Sequence, residues 1–366
     1  MAEVIDLLQD TTYPAYLSTL WKLHTAKREA NAPTVISTFA GTGGSSLGYS
    51  MAGFRELLAV EWDDNAVETF KLNFPNVPVH HGNIKELSAD QCLTLAGIKS
   101  GKLDLFDGSP PCQGFSTMGS RKFADPKNEL YMDYARLLQG LQPKVFVMEN
   151  VSGMVKGKMR LIFVDILHAL KGAGYQVSAR LLNAMWFGVP QMRQRLIFIG
   201  VRNDLGITPT HPIPQTKPIT ARQAWAGLSE KVQDASTDHV WVDEVARKTV
   251  GAARALITRP GEKIVKRAGA VTIRTHYDRP MYTVTTAGNS LAPYISNSSL
   301  HPTQMRTNSI RESARGTSFP DEYKFVDPIR NGIARIGNCV PPLLMYAIAK
   351  HIKANVLDKC NADEAA

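Results

Sequence analysis

Up to about residue 200 the apolar positions follow two alternating rhythms. Short runs rich in β-branched and aromatic residues stand at 35–39 (VISTF), 57–61 (LLAVE), 77–81 (VPVHH), 103–106 (LDLF), 145–148 (VFVM), 175–182 (YQVSARLL) and 195–201 (RLIFIGV). Bounded by turn residues, such runs predict strands. Between most of them the spacing lengthens to the helical period. At 130–141 the residues Tyr131, Tyr134, Leu137, Leu138 and Leu141 share one face, and 159–171 has the same character. Strands and helices in alternation predict an α/β fold, a mostly parallel, doubly wound, Rossmann-like sheet with helices on both faces.

The ends of the chain read differently. Residues 1–32 predict one or two amphipathic helical pieces broken near Pro14. After Asn203 the periodicity weakens and Pro, Thr, Gly and Ser become frequent up to about Pro302, while a helical pattern returns at 341–352 behind a proline. The expected organisation is an N-terminal helical extension at 1–32, a main α/β domain at 33–202, a smaller domain at 203–325, and a segment at 326–366 that returns to the main domain.

Composition narrows the class. With 366 residues, 44% hydrophobic and 20% charged, the chain can bury a large core and is not intrinsically disordered. A net charge of +9 and a pI near 9.3 suit a polyanionic partner, and equally suit plain solubility. The basic excess is local: between Asp243 and Arg279 nine Lys/Arg face four Asp/Glu, as a phosphate-tracking surface or a solvated face requires. The four cysteines, Cys92, Cys112, Cys339 and Cys360, form no CxxC pair, so neither a metal site nor a disulfide framework is expected, and free thiols point to a cytoplasmic location. Neither a signal peptide nor a membrane-spanning run is expected.

Candidate chemistry gathers at strand ends. Phe39-Ala-Gly41-Thr42-Gly43-Gly44 follows the first strand and opens a helix, so the backbone can approach a ligand closely and offer free N–H groups. Glu61 ends the second strand, where an acid can accept from ribose hydroxyls, and Trp62 beside it can stack on adenine. Ser46 at the third position of the dinucleotide fingerprint disfavours a nicotinamide cofactor; the tight turn suits a cofactor with adenosine but no pyrophosphate. The most informative segment is LDLFDGSPPCQGFS at 103–116. It displays Cys112 just past a strand end behind two prolines that fix its approach, ahead of a Gly-hinged segment carrying Arg121 and Lys122. Glu149 and Asn150 end the fifth strand, the acid serving as helix cap or general acid. Gln191-Met-Arg193-Gln-Arg195 opens the last strand, with both arginines able to point to one side and either able to pair with Glu149.

Six segments, in this order, resemble the DNA cytosine-5 methyltransferase family over about 34–352: 39–44 (FAGTGG), Glu61-Trp62, 108–116 (GSPPCQGFS), Glu149-Asn150-Val151, 191–195 (QMRQR) and 337–341 (GNCVP). The resemblance implies S-adenosylmethionine held by Phe39, Gly41, Thr42, Gly43, Gly44, Glu61, Trp62, Asn83, Ile84, Pro110, Asn338 and Cys339. It implies catalysis by Cys112, Glu149, Asn150, Arg193 and Arg195, with Cys112 adding to carbon 6 of a cytosine flipped out of duplex DNA. Gln113, Ser116, Arg121 and Lys122 would contact the DNA, and the small domain would read its sequence. A monomer without metal is expected, in restriction-modification or self-protection. The sequence departs from the family pattern at Asn83, where an Asp is usual, at Gly316-Thr317-Ser318 in place of Leu-Gln-Gly, and at Cys339 in place of Ser or Ala. A catalytically silent DNA-binding protein on the same fold, an RNA cytosine methyltransferase and a dinucleotide oxidoreductase are the alternative readings.

Overall fold

The computed structural model describes residues 5–111, 130–157, 159–229, 238–240, 273–285, 299–304 and 306–365. By contacts the chain divides into two units, one made of 1–22, 184–193 and 214–343, the other of 23–183, 194–213 and 344–366.

The second unit is built on a seven-stranded sheet. Its strands are β1 (Thr34–Thr38), β2 (Arg55–Glu61), β3 (Val79–His81), β4 (Leu105–Gly108), β5 (Val145–Val151), β6 (Tyr175–Asn183) and, after the two-residue β7 (Gln191–Met192) of the other unit, β8 (Gln194–Arg202). They lie in the order β3-β2-β1-β4-β5-β8-β6. Pairing is parallel from β3 through β5, and β8 runs antiparallel to both β5 and β6. The predicted mostly parallel α/β sheet is therefore present. All five residues of β1 are buried, as are five of the seven in β2, the signature of strands covered on both faces.

Helices α2 (Gly44–Met51), α3 (Asp64–Asn73), α4 (Ala89–Ala96), α5 (Leu130–Leu141) and α6 (Met159–Gly172) connect the strands. Local chemistry sets several of their ends. Asp63 caps α3 by accepting from the Ala66 N–H at 2.9 Å, and Ser88 with Gln91 forms a capping box on α4. The face predicted for 130–141 is the buried face of α5, where Tyr131, Tyr134, Leu137, Leu138 and Leu141 join Phe106, Phe146 and Phe198 in the core.

In the other unit the first helix is α1 (Tyr13–Thr25). Pro14 does not break it. It sits in the first turn, where no N–H is needed and its fixed φ suits the helix, so one helix forms where a break was expected. Further along lie the short helices α7 (Ala221–Ala224), α8 (Ile310–Gly316) and α9 (Ile333–Asn338), and the strand pairs β7 with β10 (Met281–Tyr282) and β9 (Ile273–Arg274) with β11 (Ser299–Leu300). The departure at Gly316-Thr317-Ser318 has a packing reason here. A side chain on Gly316 would run into Met281, the Thr317 hydroxyl accepts from Gln191 Nε2 at 2.9 Å, and the Ser318 hydroxyl accepts from the Leu343 N–H at 3.1 Å. The segment is held by hydrogen bonds where the family pattern has a larger apolar side chain. Helices α10 (Pro342–Ile352) and α11 (Asp358–Ala365) follow, and from Leu344 on they belong to the unit of the seven-stranded sheet. Among the described residues no helix is long and apolar enough to cross a membrane.

The antiparallel strand depends on one glycine. Gly200 pairs with Phe146 across β8 and β5, and a β-carbon on Gly200 would overlap the Phe146 ring. Gly200→Ala should therefore cost about 1–3 kcal/mol of stability, as overpacking in a close-packed core does. The check is a thermal or denaturant midpoint. Phe146→Leu should recover part of the loss in the double variant, and additive losses would show that the ring is not the obstacle.

Candidate active site

In this sheet the strand order reverses between β1 and β4. Chain that leaves β1 passes outward to β2 and β3, whereas chain that leaves β4 passes the other way to β5. A crevice opens beyond the carboxyl ends of two such strands, where α/β proteins place ligands. The Thr38 hydroxyl donates to the Asp107 carbonyl at 3.0 Å and locks the two strand ends together. Gly108 ends β4 because nothing larger fits: a β-carbon there would lie 2.5 Å from Thr38 Oγ1 and 2.6 Å from the Tyr134 ring.

The glycine turn leaves β1 at this edge. Phe39, Gly41 and Gly43 all have left-handed backbone, with φ of 53°, 55° and 89°. Gly41 is where freedom from a side chain matters most. Its conformation disfavours other residues, and the direction a β-carbon would take is open, with no atom within 4 Å. Thr42 and Gly44 are buried, and Gly43 caps α2. Glu61 fixes the turn from the neighbouring strand. Its Oε2 accepts from the Gly41 N–H at 2.8 Å, and its Oε1 accepts from the N–H groups of Trp62 at 2.9 Å and Asp63 at 3.0 Å. Three backbone donors hold that carboxylate in one orientation. Trp62 beside it is 67% exposed, an aromatic face presented to solvent. These residues fit an adenosine-bearing cofactor: an open glycine backbone, a fixed carboxylate and an exposed aromatic side chain stand together.

Asn83 caps the single 3-10 turn at Ile84–Glu86, its Oδ1 accepting from the Lys85 N–H at 3.1 Å. Ile84 is buried, and its carbonyl accepts from Arg136, which also binds the Leu87 carbonyl. Arg136 was not legible as part of this region, because the groups it binds here are backbone carbonyls that no motif records.

On the other side of β4, Glu149 at the end of β5 is paired with Arg195 of β8 at 2.6 Å, both side chains being nearly buried. Asn150 accepts from the Val151 N–H at 2.8 Å and donates through Nδ2 to the Pro110 carbonyl at 3.2 Å. It thus ties β5 to the chain two residues before Cys112. Cys112, Gln113, Ser116, Arg121 and Lys122 lie outside the described residues.

Arg193 and Arg195 do not point to one side. β7 ends at Met192 and β8 begins at Gln194, so the strand alternation assumed for 191–195 is broken between them. Arg193, almost wholly buried, donates to the carbonyls of Val284, Gly337 and Cys339 in its own unit, at 2.8–3.1 Å. Asn338, exposed, and Cys339, a buried free thiol that donates to the Ile336 carbonyl at 3.0 Å, belong to that same unit. Among the described residues no group of three or more His, Cys, Asp or Glu is placed to hold a metal ion.

Sequence reading missed two acids on the site's inner side. Asp107, 2% exposed, accepts from the Tyr49 hydroxyl at 2.9 Å. Glu56 accepts from the Ser46 hydroxyl at 2.9 Å. Burial pushes the Asp107 carboxyl up to about 8, and nearby Glu56 and Glu149 add to the shift against the hydroxyls of Tyr49 and Ser45. Burial likewise raises Glu56 to about 7. An aspartate inside an otherwise apolar strand, LFDG, was the available signal.

The comparisons agree with this architecture. The family model described as C-5 cytosine-specific DNA methylase matches residues 33–354. The chain is 34% identical over 336 residues to the type II methyltransferase M1.HphI of Haemophilus parahaemolyticus, covering 87% of this chain and 86% of that one. It is 30% identical over 364 residues to the type II methyltransferase M.XorII of Xanthomonas oryzae, covering 87% and 84%. The crystal structure of a DNA modification methyltransferase encoded within an Escherichia coli prophage superposes with a TM-score of 0.70 at 25% identity, covering 89% of this chain and all of the other. With its family model matched from the first strand through α10, this chain belongs to the C-5 cytosine-specific DNA methylases and is a DNA (cytosine-5-)-methyltransferase.

Proposed function

We propose that the chain transfers a methyl group from S-adenosylmethionine to carbon 5 of a cytosine flipped out of a specific duplex DNA sequence, through a covalent adduct with Cys112. The observation that carries the reading is the arrangement at the ends of β1, β4 and β5. The open glycine turn tied to Glu61 and the Glu149–Arg195 pair flank the strand that leads to Pro110. Membership of a family with type II relatives supports a role in protecting host DNA within a restriction-modification system.

The chemistry follows from the base. Carbon 5 of cytosine is a weak nucleophile until a thiolate adds to carbon 6. Cys112 makes that addition, forming the sulfur–carbon bond while Glu149 stabilises the charge that develops at ring N3. Bound S-adenosylmethionine supplies an electrophilic methyl on a sulfonium. Arg195 holds Glu149 in place and contacts the base carbonyl or a nearby phosphate. Asn150 holds the Pro110 carbonyl and thereby the start of the nucleophile loop. After transfer a base removes the carbon 5 proton and the Cys112 sulfur leaves. Gln113, Ser116, Arg121 and Lys122 contact DNA, and the 203–325 region reads the sequence, using the basic excess between 243 and 279. The target is a base in double-stranded DNA, which must leave its stack to reach any of these groups. The free thiols fit a cytoplasmic protein.

Three outcomes test this reading. Gly43→Val, which puts a branched side chain where φ is 89°, should abolish S-adenosylmethionine binding by calorimetry while circular dichroism stays native; unchanged affinity would place the cofactor elsewhere. Asn83→Asp can cap the same turn with one oxygen and offer the other to the adenine amino group. Cofactor binding should tighten by about 1 kcal/mol, and a large loss would show that the Asn83 amide donates instead. A duplex carrying 5-fluorocytosine at the target should trap wild-type protein in an adduct that survives denaturation and needs S-adenosylmethionine, because fluorine cannot leave as a cation. Cys112→Ser should form none, and Glu149→Gln should form it much more slowly. Methylation without trapping by the wild type would refute covalent catalysis by Cys112.

A further inference from the structure

The strand register puts three acids on one face of the sheet. Glu56 is opposite Val35, Ser37 opposite Asp107, and Asp107 opposite Val147, two residues before Glu149. Side chains alternate along strands, so Glu56, Asp107 and Glu149 project towards the side where α2 lies, which Ser46 and Tyr49 of α2 confirm by their hydrogen bonds to the first two. Only Glu149 has a cation: Arg195 is bound to it. Among the described residues no Lys, Arg or His pairs with Asp107 or Glu56. Asp107 is faced by the hydroxyls of Tyr49 and Ser45 from α2, by Glu56 from β2, by Glu149 from β5 and by Tyr134 from α5. All of these are neutral or acidic.

A buried carboxyl with no cation holds its proton. Asp107 nevertheless sits at the end of β4, in register with Ser37 two residues before the glycine turn begins. Of the two acids without a cation, Asp107 is the one at the carboxyl end of its strand, the edge from which the glycine turn leaves, whereas Glu56 lies at the start of β2. S-adenosylmethionine carries a sulfonium; its product S-adenosylhomocysteine has the same groups with a neutral thioether. We propose that Asp107 is the residue by which the cofactor site favours the cationic methyl donor over the spent product, ionising when the donor binds and regaining its proton when the product replaces it. The inference rests on the S-adenosylmethionine reading of the glycine turn. In the binding step the Asp107 O–H bond breaks, the proton goes to solvent, and the carboxylate left behind balances the sulfonium charge while still accepting from Tyr49. Methyl transfer removes that positive charge, the carboxylate recovers a proton from solvent, and the product is held less tightly.

The sign of the pH dependence follows. The free protein's Asp107 is raised to about 8, so at neutral pH the donor must expel a proton to bind. Preference for donor over product should therefore rise with pH up to about 8 and level off above it, by up to tenfold for each unit by which the bound cation lowers the carboxyl. The α-amino and carboxylate groups are common to both ligands and cancel in the ratio.

The test is calorimetry of both ligands on the full chain, in buffers of differing ionisation enthalpy, at several pH values. Wild type should release a proton fraction with S-adenosylmethionine that it does not release with S-adenosylhomocysteine, and the affinity ratio should climb with pH. Asp107→Asn should bind both ligands with no differential proton release and a flat, reduced ratio. Tyr49→Phe, which keeps the carboxyl but removes its donor, should move the release to higher pH, and it tests the assignment even if the Asn variant does not fold. Equal proton release for both ligands in wild type, or a pH-dependent ratio retained in Asp107→Asn, overturns the proposal; in the latter case Glu56 is the responsive acid. If wild type binds neither ligand, the cofactor reading fails and the proposal with it. If both bind and Gly43→Val abolishes binding but no differential release is seen, the cofactor reading stands and the Asp107 proposal alone fails.

Discussion

The parallel pairing of β1 with β4 is the constraint on which the rest depends. It is where the strand order reverses, so the turn that leaves β1 and the loop that leaves β4 start side by side instead of being covered by a crossing connection. The pairing tolerates little change at its open end. The Thr38 hydroxyl donates to a β4 carbonyl, and Gly108 leaves room for Thr38 and Tyr134. Close packing of backbone at this point decides where the functional groups of both halves of the sheet emerge.

Around that edge the protein handles buried carboxylates in three ways. Glu61 is met by three backbone N–H groups, which fix its orientation without another side chain. Glu149 is met by Arg195 at 2.6 Å; losing either partner would leave an uncompensated charge in a nearly dry setting, which costs several kcal/mol. Asp107 and Glu56 are met by hydroxyls, which are too weak to offset burial, so both are pushed towards the protonated form. The site thus changes across the sheet, from an acid held by backbone donors at the turn to acids that burial pushes towards the protonated form under it.

The two arginines of the 191–195 segment show how a small backbone irregularity redistributes function. A continuous strand would place them on one face. Because β7 pairs with β10 while β8 joins the large sheet, the chain changes partner between them. Arg193 then satisfies three carbonyls of its own unit, and Arg195 satisfies Glu149. One serves to hold irregular backbone together and the other to balance an acid.

The seven strands of the main sheet were legible in the sequence, as was the buried face of α5, because apolar periodicity reports burial directly and burial on both faces is what a parallel sheet imposes. The glycine turn, Glu61 and the Glu149-Asn150 pair were legible too, since each depends on residue type at a strand end. The fate of Pro14 was not, because a proline reads the same at a helix start as at a break until the helix is located. Nor were the partners of Arg193, which are carbonyls 91 to 146 residues away along the chain. The meaning of Asp107 was hidden for a related reason. Sequence by itself determined the strands, the turn and the types of chemical group at their ends. Only the tertiary structure decided which of those groups has a counter-charge, because a carboxyl's charge state depends on burial and on neighbours that register, not sequence order, brings beside it.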